Sequence, residues 1–591
     1  MTPGRPAGDS MDVIDSMDNK RLLWLAVNAS HAHSSLALPL AQLAAKDSAG
    51  WSWHAIAAVL ADDAGELAVR VNAEEPALLS ATLYLFNRRL ALDVLQRVKV
   101  LRPQCRIAVG GPECSGQGAA ELLARYPQID FALDGEAEAA LPRMLDLLHA
   151  GDDDFQGIVG LTWRNAAGRI ISNGGRALYD AWGTAPAPIT SSFFDHSKPF
   201  VQMETARGCQ QGCSFCTSCH TAVRYKSLDA VRSELTQLRE HKVREVRLLD
   251  RTFNTPPGRC ISLLRLFREH FADMRFHLEI HPQLLSPAIR DELRQARPGQ
   301  LHIEAGIQTL NPAVLRKVGR LDQPERALDG LTFLCQCPSF DTHADLLAGL
   351  PEQSYRDVLH DVAQLVAIGP AEIQLEVLKV LHGTPLREQA DAIGLRFSPE
   401  TPYDVIATDT MSAQELHHCR KLSRLLDITY NHPALQDAFR AAARTPDAIT
   451  DMLAFMERQG LSLGPAPSLK KRFALLSTFL HEQPADEARQ RAQDALAYNW
   501  LLWAFPPGDG PAKNTQPANE LPEDAQCVYG DHTCRPQAGR RLWLLSTSTH
   551  NYWFIYDRAI APNRAAAVFR KDTNTCPPAV HTVHGNLREQ Q

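Results

Sequence analysis

The 591-residue sequence predicts an α/β protein: a doubly wound parallel sheet, then a partial barrel of six strand-and-helix units, then a mostly helical region. Three observations predict it. Short apolar runs alternate with helix-period segments over residues 20–150, polar and apolar residues alternate strictly in four later segments, and helix periodicity takes over beyond residue 411.

In the first region, 22–27, 81–86, 106–109 and 131–133 read as short buried strands, with a further one near 53–59. Helical patterns at 88–100 and 117–126 separate them, which makes a Rossmann-like domain over 20–150. Ligands of such sheets sit beyond the carboxyl ends of the strands. That rule selects Asn28, Ser30, Asn87, the turn Gly110-Gly111-Pro112-Glu113 and Gly135-Glu136. Residues 151–195 read as a hairpin, 158–164 and 169–172 around Asn165-Ala-Ala-Gly168, followed by a Pro-rich linker.

Residues 196–390 read as a TIM-type partial barrel. Phe276, Leu278 and Ile280 oppose His277, Glu279 and His281, and Leu301, Ile303, Ala305 and Ile307 oppose His302, Glu304 and Gln308. Thr342, Ala344 and Leu346 oppose His343 and Asp345, and Ile373, Leu375 and Val377 oppose Glu372, Gln374 and Glu376. A repeated polar face implies a shared polar lumen. With 201–205 and 246–250 the strands number six, each followed by room for a helix.

Beyond 390 a C-terminal domain runs to 591, with helices expected at 413–428, 433–444, 447–459 and 487–505. A Pro-, Gly- and Asn-rich flexible stretch covers 506–525, and two terminal strands are expected at 541–546 and 552–556. Residues 1–19 carry Asp9, Asp12, Asp15 and Asp18 with no apolar segment, and read as a disordered leader.

Composition excludes some classes. No apolar run approaches the length of a membrane span, and a net charge of -7 gives no footprint for nucleic acid. Thirteen cysteines without a secretion signal point to thiol or metal chemistry in a reducing compartment, so a cytoplasmic protein is expected.

The chemistry is carried by Cys209-x-x-x-Cys213-x-x-Cys216, in the loop after the first barrel strand. Three thiolates hold three irons of a four-iron four-sulfur cluster and leave one iron open as a reaction site. Two other readings of these residues stay open. Cys213, Cys216 and Cys219 imitate part of a ferredoxin run, although Val223 stands where the next cysteine belongs. A closed zinc site could use Cys209, Cys213 and Cys216 with Cys219 or His220.

The cysteine spacing, with Arg207-Gly208 before it and Phe215 inside it, resembles the radical S-adenosylmethionine (radical SAM) superfamily. Asp250-Arg-Thr-Phe-Asn254 is similar to the superfamily's Asp-x-x-Phe-Asn segment, and Glu279, Glu304, Gly306 and Gln308 to residues lining its SAM site. Asp345-Leu-Leu-Ala-Gly-Leu-Pro-Glu352 and Leu381-His-Gly-Thr-Pro385 resemble two of its turns. The Gly110-Gly111-Pro112-Glu113 and Asp134-Gly135-Glu136-Ala-Glu138 segments resemble an N-terminal cobalamin-binding domain, without the Asp-x-His-x-x-Gly loop that supplies an axial histidine. Residues 28–37 and 403–412 resemble a subgroup with an uncharacterised C-terminal domain.

The resemblance implies a SAM-cleaving enzyme in which Asp250, Glu279, Glu304 and Gln308 contact SAM, while Asn28, Ser30, Gly110, Gly111 and Gly135 contact cobalamin. It further implies methylation of an unactivated carbon on a small-molecule or peptide substrate, with a reductant such as flavodoxin or ferredoxin. Cobalamin-independent radical chemistry, and a non-catalytic redox sensor or scaffold, are the alternatives. Only Cys105 and Cys114 lie in the N-terminal domain, whereas methylthiotransferases use three cysteines there.

Overall fold

The computed structural model describes residues 20–537 and 540–572. The leader 1–19 therefore lies outside the described residues. The chain divides into two compact units. The first holds the described residues through Met203 together with Asp229–Val243 and Leu381–Thr384; the second holds Glu204–Leu228, Arg244–Val380 and the described remainder from Pro385.

In the first unit β1 (Lys20–Asn28), β2 (Trp51–Val59), β3 (Leu78–Thr82), β4 (Arg106–Gly110), β5 (Phe131–Leu133), β6 (Leu161–Arg164) and β7 (Ile170–Ser172) form one sheet in the order β2-β1-β3-β4-β5-β6-β7. The first five pair in parallel, as alternation with helices requires. Two details correct the sequence reading. The third strand begins three residues before the expected Ala81 and stops at Thr82, because Asn87 turns the chain out of the sheet. Its amide donates to Val27 O and Thr82 O, each at 3.0 Å, and its carbonyl accepts from Tyr84 N at 2.8 Å. The hairpin β6–β7 adds antiparallel to β5 and so extends this sheet, because Leu161 and Trp163 are apolar enough to bury there.

The barrel strands are β8 (Val201–Met203), which belongs to the first unit, and, in the second, β11 (Glu245–Leu248), β12 (Arg275–Ile280), β13 (Leu301–Gln308), β14 (Asp341–Ala348) and β15 (Glu372–Val377), with β9 (Ala206–Cys209) and β10 (Thr221–Tyr225) as a separate antiparallel hairpin after β8. β11 to β15 pair in parallel in chain order. Burial alternates residue by residue along β12, β13 and β14, as the sequence pattern predicts. The expected strand 201–205 is interrupted instead, because Thr205 and Ala206 give their amides to the Asp250 carboxylate.

β15 would expose a row of backbone groups. Asn431 covers them as a strand would, accepting from Ile373 N at 2.9 Å and donating to Ile373 O at 3.0 Å. Arg440 meanwhile donates to Val366 O, Ala367 O and Ile368 O at the end of helix Tyr355–Ile368, where orphan carbonyls need partners. These side chains tie the C-terminal helices to the barrel.

Those helices are Ala413–Ile428, Gln436–Ala442, Pro446–Arg458, Leu469–Glu482 and Glu487–Leu502. The fourth was not among those expected. After the short pair β16 (Arg396–Phe397) and β17 (Val405–Ala407), the terminal sheet has five strands: β18 (Thr515–Pro517), β19 (Gln526–Gly530), β20 (Arg541–Ser546), β21 (His550–Tyr556) and β22 (Ala567–Asp572), in the order β18-β20-β21-β22-β19. Only β20 and β21 were legible. β18 lies within 506–525, the stretch read as flexible, and corrects that reading: it gains its order from pairing with β20.

Candidate active site

At the carboxyl ends of the barrel strands a cleft of about 750 Å³ is lined by Cys209, Cys213, Cys216 and Cys219, by Arg251, Thr252, His281 and Arg320, and by Glu279, Glu304, Gln308 and Asp345. The cysteine loop is held by its own hairpin, with Thr221 opposite Cys209 and Tyr225 opposite Ala206. It is also pinned to the barrel: Ser214 N donates to Val318 O at 2.8 Å, and Leu386 N to Ser214 O at 2.9 Å. Gly212 and Gly319 permit this approach, since a Cβ on Gly319 would lie 2.3 Å from Gly212 O.

Backbone amides of the loop point at sulfur. Gln211 N donates to Cys209 Sγ and Ser218 N to Cys216 Sγ, both at 3.4 Å, while Thr252 Oγ1 lies 3.6 Å from Cys209 Sγ. Thiolates that receive such bonds are stabilised, and bonds of this kind tune iron–sulfur centres. Burial pushes the Cys213 thiol up to about 11, with Arg320 pulling it the other way. The donor set fits an iron–sulfur cluster. Among the described residues, no three His, Cys, Asp or Glu side chains converge on a point as a single tetrahedral ion requires.

Asp250 does not line the cleft. Its carboxylate accepts from Thr205 N at 2.7 Å, Ala206 N at 3.0 Å and the Thr205 hydroxyl, so it braces the base of the cysteine hairpin. Arg259 adds to the brace, donating to Thr205 O at 3.1 Å beneath the Tyr225 ring. Burial pushes the Asp250 carboxyl up against the pull of those donors. Asn254, fully buried, exchanges hydrogen bonds with His281 O at 2.9 Å and His281 N at 3.0 Å. The recognisable letters of Asp250-Arg-Thr-Phe-Asn254 therefore hold the frame, and the two residues between them, Arg251 and Thr252, face the cleft. Sequence reasoning missed both.

Register brings the acids together. Glu279 stands opposite Glu304, and Gly306 opposite Asp345. Burial lifts Glu279 to about 7, with Arg251 opposing and Glu304 reinforcing the shift. Burial likewise lifts Asp345 to about 6. Glu304 moves down, chiefly because His277 Nε2 lies 3.0 Å away. Below them, the His277 and His302 rings stack at 4.8 Å. Burial works against charge on His343, yet Asp345 at 3.1 Å and its acidic neighbours lift it to about 8. Gln308 reaches the cleft from a left-handed backbone, φ 69°. Arg320 donates to Gly306 O and to Asp322, each at 2.5 Å, and Asp322 lies 3.1 Å from His281.

The first unit holds a different cavity. A narrow slot of about 40 Å³ lies between the sheet and helix Ala137–Ala150, lined among others by Trp24, Ser80, Ala108, Gly110, Phe131 and Met144. Ser80 is 4% exposed, and its hydroxyl has no hydrogen-bond partner. Of the residues expected here, only Gly110 lines the slot. Gly111, φ 94°, abuts Thr82 and Leu83, and Gly135, φ 106°, abuts Ala177. Ser30 Oγ bonds His33 Nδ1 at 2.8 Å, while Asn28 ends β1. Glu113 forms a buried ion pair with Arg88 at 2.6 Å, so the Gly-Gly-Pro-Glu turn is fastened from within.

Residues 203–365 match the family model of the Radical SAM superfamily. These residues form a radical SAM domain. Residues 391–508 match a further family described only as a protein of unknown function, DUF4080. An uncharacterised methyltransferase of Pyrococcus horikoshii is 24% identical over 52% of this chain and 67% of its own length. The cobalamin-dependent radical SAM methyltransferase TokK of Streptomyces tokunonensis is 21% identical over 56% of this chain. The chain spans about half of TokK, 51% of its length. Among solved structures, the radical SAM methyltransferase TsrM of Kitasatospora setae, with cobalamin and a [4Fe-4S] cluster bound, superposes with a TM-score of 0.53 at 18% identity. That match covers 64% of this chain and 76% of TsrM, and shows a shared fold. The matched stretch 203–365 contains the residues that line the cleft and does not reach the slot in the first unit. Among the described residues no helix is long and apolar enough to cross a membrane.

Proposed function

We propose that this protein is a radical SAM enzyme that cleaves SAM reductively at a four-iron four-sulfur cluster on Cys209, Cys213 and Cys216, and uses cobalamin to methylate an unactivated carbon of a small-molecule or peptide substrate. The observation that carries the reading is the cleft itself: three thiols on a pinned loop face Glu279, Glu304 and Gln308 at the strand ends. Bound there, the cluster would supply the electron that splits SAM into methionine and a 5'-deoxyadenosyl radical, and cobalamin the methyl group.

The chain's own residues have separable tasks. Glu304, hydrogen-bonded to His277, is kept ionised, whereas Glu279 and Asp345 hold their protons more tightly. One fixed carboxylate beside two protonatable ones suits a ligand carrying an amino group and hydroxyls, as SAM does. Buried walls on β12 to β14 exclude water from the lower barrel.

For cobalamin, the slot supports the reading. It is lined by the small residues Ala81, Ala108, Gly110, Ala137 and Ala140 between sheet and helix, and the Ser80 hydroxyl, unpartnered among the described residues, offers a ligand there a hydrogen bond. We place the enzyme in the cytoplasm, supplied with electrons by a flavodoxin or ferredoxin.

Anaerobic reconstitution with iron and sulfide, followed by quantitation of 5'-deoxyadenosine and of bound cobalamin, tests both halves. We expect SAM cleavage by wild type and none by Cys213→Ala. Equal cleavage by the variant would overturn the cluster assignment, and absence of cobalamin from wild type loaded with excess would overturn the methylation half.

A further inference from the structure

We infer that Cys219 is a fourth, exchangeable thiolate ligand of the cluster, bound when SAM is absent and displaced when SAM enters. The inference rests on the cluster reading above and adds a residue and a resting state to it.

Cys219 lines the same cleft as Cys209, Cys213 and Cys216. It is placed there by two successive tight turns: Cys216 N donates to Cys213 O at 3.0 Å, and Cys219 N to Cys216 O at 3.1 Å. The two turns keep the loop compact, and Cys213, Cys216 and Cys219 all line the one cleft. The next residue locks the segment. His220 adopts φ 49°, donates its amide to Gln211 O at 3.1 Å, and sets its ring against Gly212, where a Cβ would meet ring atoms at 2.9 Å. Thr221 then begins β10 opposite Cys209. Cys219 is thus held between a strained residue and the cysteine hairpin, half-buried, where the charges of Cys216 and Cys209 act on its sulfur.

An iron left open by three cysteines prefers a soft donor to water when one is within the same cleft. Cys219 meets that need without blocking it. Across the cleft stand Glu279, Glu304, Gln308 and Asp345, which can receive SAM. Two donor atoms of one SAM molecule, its amino nitrogen and a carboxylate oxygen, then replace a single thiolate. Cys219 leaves with its electron pair and takes a proton from solvent, so no oxidant or reductant is consumed. The exchange keeps the reactive iron covered until substrate chemistry is possible.

The test reconstitutes wild type, Cys219→Ala, Cys219→Ser and Cys213→Ala anaerobically with 57Fe and sulfide. Mössbauer spectra are recorded with and without SAM, three-iron cluster formation is followed by electron paramagnetic resonance after mild oxidation, and Cys219 is alkylated with iodoacetamide. We expect Cys219 in wild type to resist alkylation without SAM and to become several-fold more reactive with it. Cys219→Ala should assemble a four-iron cluster but lose its fourth iron several-fold faster, with Cys219→Ser between the two. An intact cluster that shows the same spectra and iron loss in wild type and Cys219→Ala, with SAM-independent alkylation, overturns the role of Cys219 alone. Failure of wild type to assemble a four-iron cluster, or an unimpaired cluster in Cys213→Ala, overturns the underlying reading and this inference with it.

Discussion

The cleft of the second unit and the slot of the first are built by opposite means. The cleft is made of what side chains supply: thiols, carboxylates and guanidinium groups delivered by register and held by a brace of Asp250, Arg259 and Asn254. The slot is made of what side chains leave out, small residues on β3, β4 and helix Ala137–Ala150 around one unpartnered hydroxyl. A polar site of the first kind depends on a frame that fixes direction, whereas a cavity of the second kind depends on volume. The two should therefore fail differently.

The largest expected effect lies in the brace. Asp250→Ala leaves the Thr205 amide, the Ala206 amide and the Thr205 hydroxyl without their acceptor in a buried setting. Unpaired buried donors of this kind cost about 3–5 kcal/mol together. We expect a lower denaturation midpoint and reduced iron incorporation. If Asp250→Ala matched wild type in both and lost only affinity for SAM, Asp250 would be a ligand contact rather than a brace, and the contrast between frame and cleft would fail at its strongest point.

A second effect comes from the acids that the frame holds in place. Burial raises Glu279 from 4.5 to about 7, so the folded protein keeps a proton that the unfolded chain releases between those values. Stability contributed by this group is present at low pH and falls as pH rises through that window. Glu279→Gln removes the fall. Above about pH 7 the variant should be more stable than wild type by about 3 kcal/mol, and near pH 4 the two should coincide. Thermal unfolding across a pH series reads the difference directly. A constant offset at every pH would mean that Glu279 is not held protonated, and the cleft would then carry more negative charge than its burial implies.

How much of this was legible follows the same division. Period-2 alternation at His277, Glu279, Glu304 and Asp345 announced the polar lumen, because a strand's two faces are written into neighbouring residues. The cysteine spacing was legible because Cys209, Cys213 and Cys216 lie within one short loop. The hairpin that clamps the loop was not, since pairing of β9 with β10 depends on the turn between them rather than on alternation. Arg320 could not be found either: it lies in a loop beyond β13 and reaches Gly306 only through folding. The terminal sheet was half legible, because β18, β19 and β22 take their order from partners distant in sequence. The slot gave a single signal, Gly110 at the end of a strand. Ala108, Ala137 and Ala140 read as ordinary core residues until a helix is laid over them.

The smallest effect isolates the slot. Ser80 is buried, and its hydroxyl is without a partner, so without ligand it carries a desolvation penalty that nothing in the protein offsets. Ser80→Ala removes the hydroxyl and leaves the shape almost unchanged. Cobalamin-free protein should therefore gain about 1 kcal/mol in stability, because an unsatisfied buried group costs roughly that much. If the slot receives the ring of a cobalamin, the same substitution removes a hydrogen bond from the complex and should weaken cobalamin retention several-fold, with SAM cleavage at the cysteine cluster unaffected. The two readouts move in opposite directions, which a packing defect cannot imitate: a defect would lower stability and binding together. Unchanged cobalamin binding with increased stability would show that the hydroxyl does not face the ligand, and the slot would then be a cavity of the fold rather than a site.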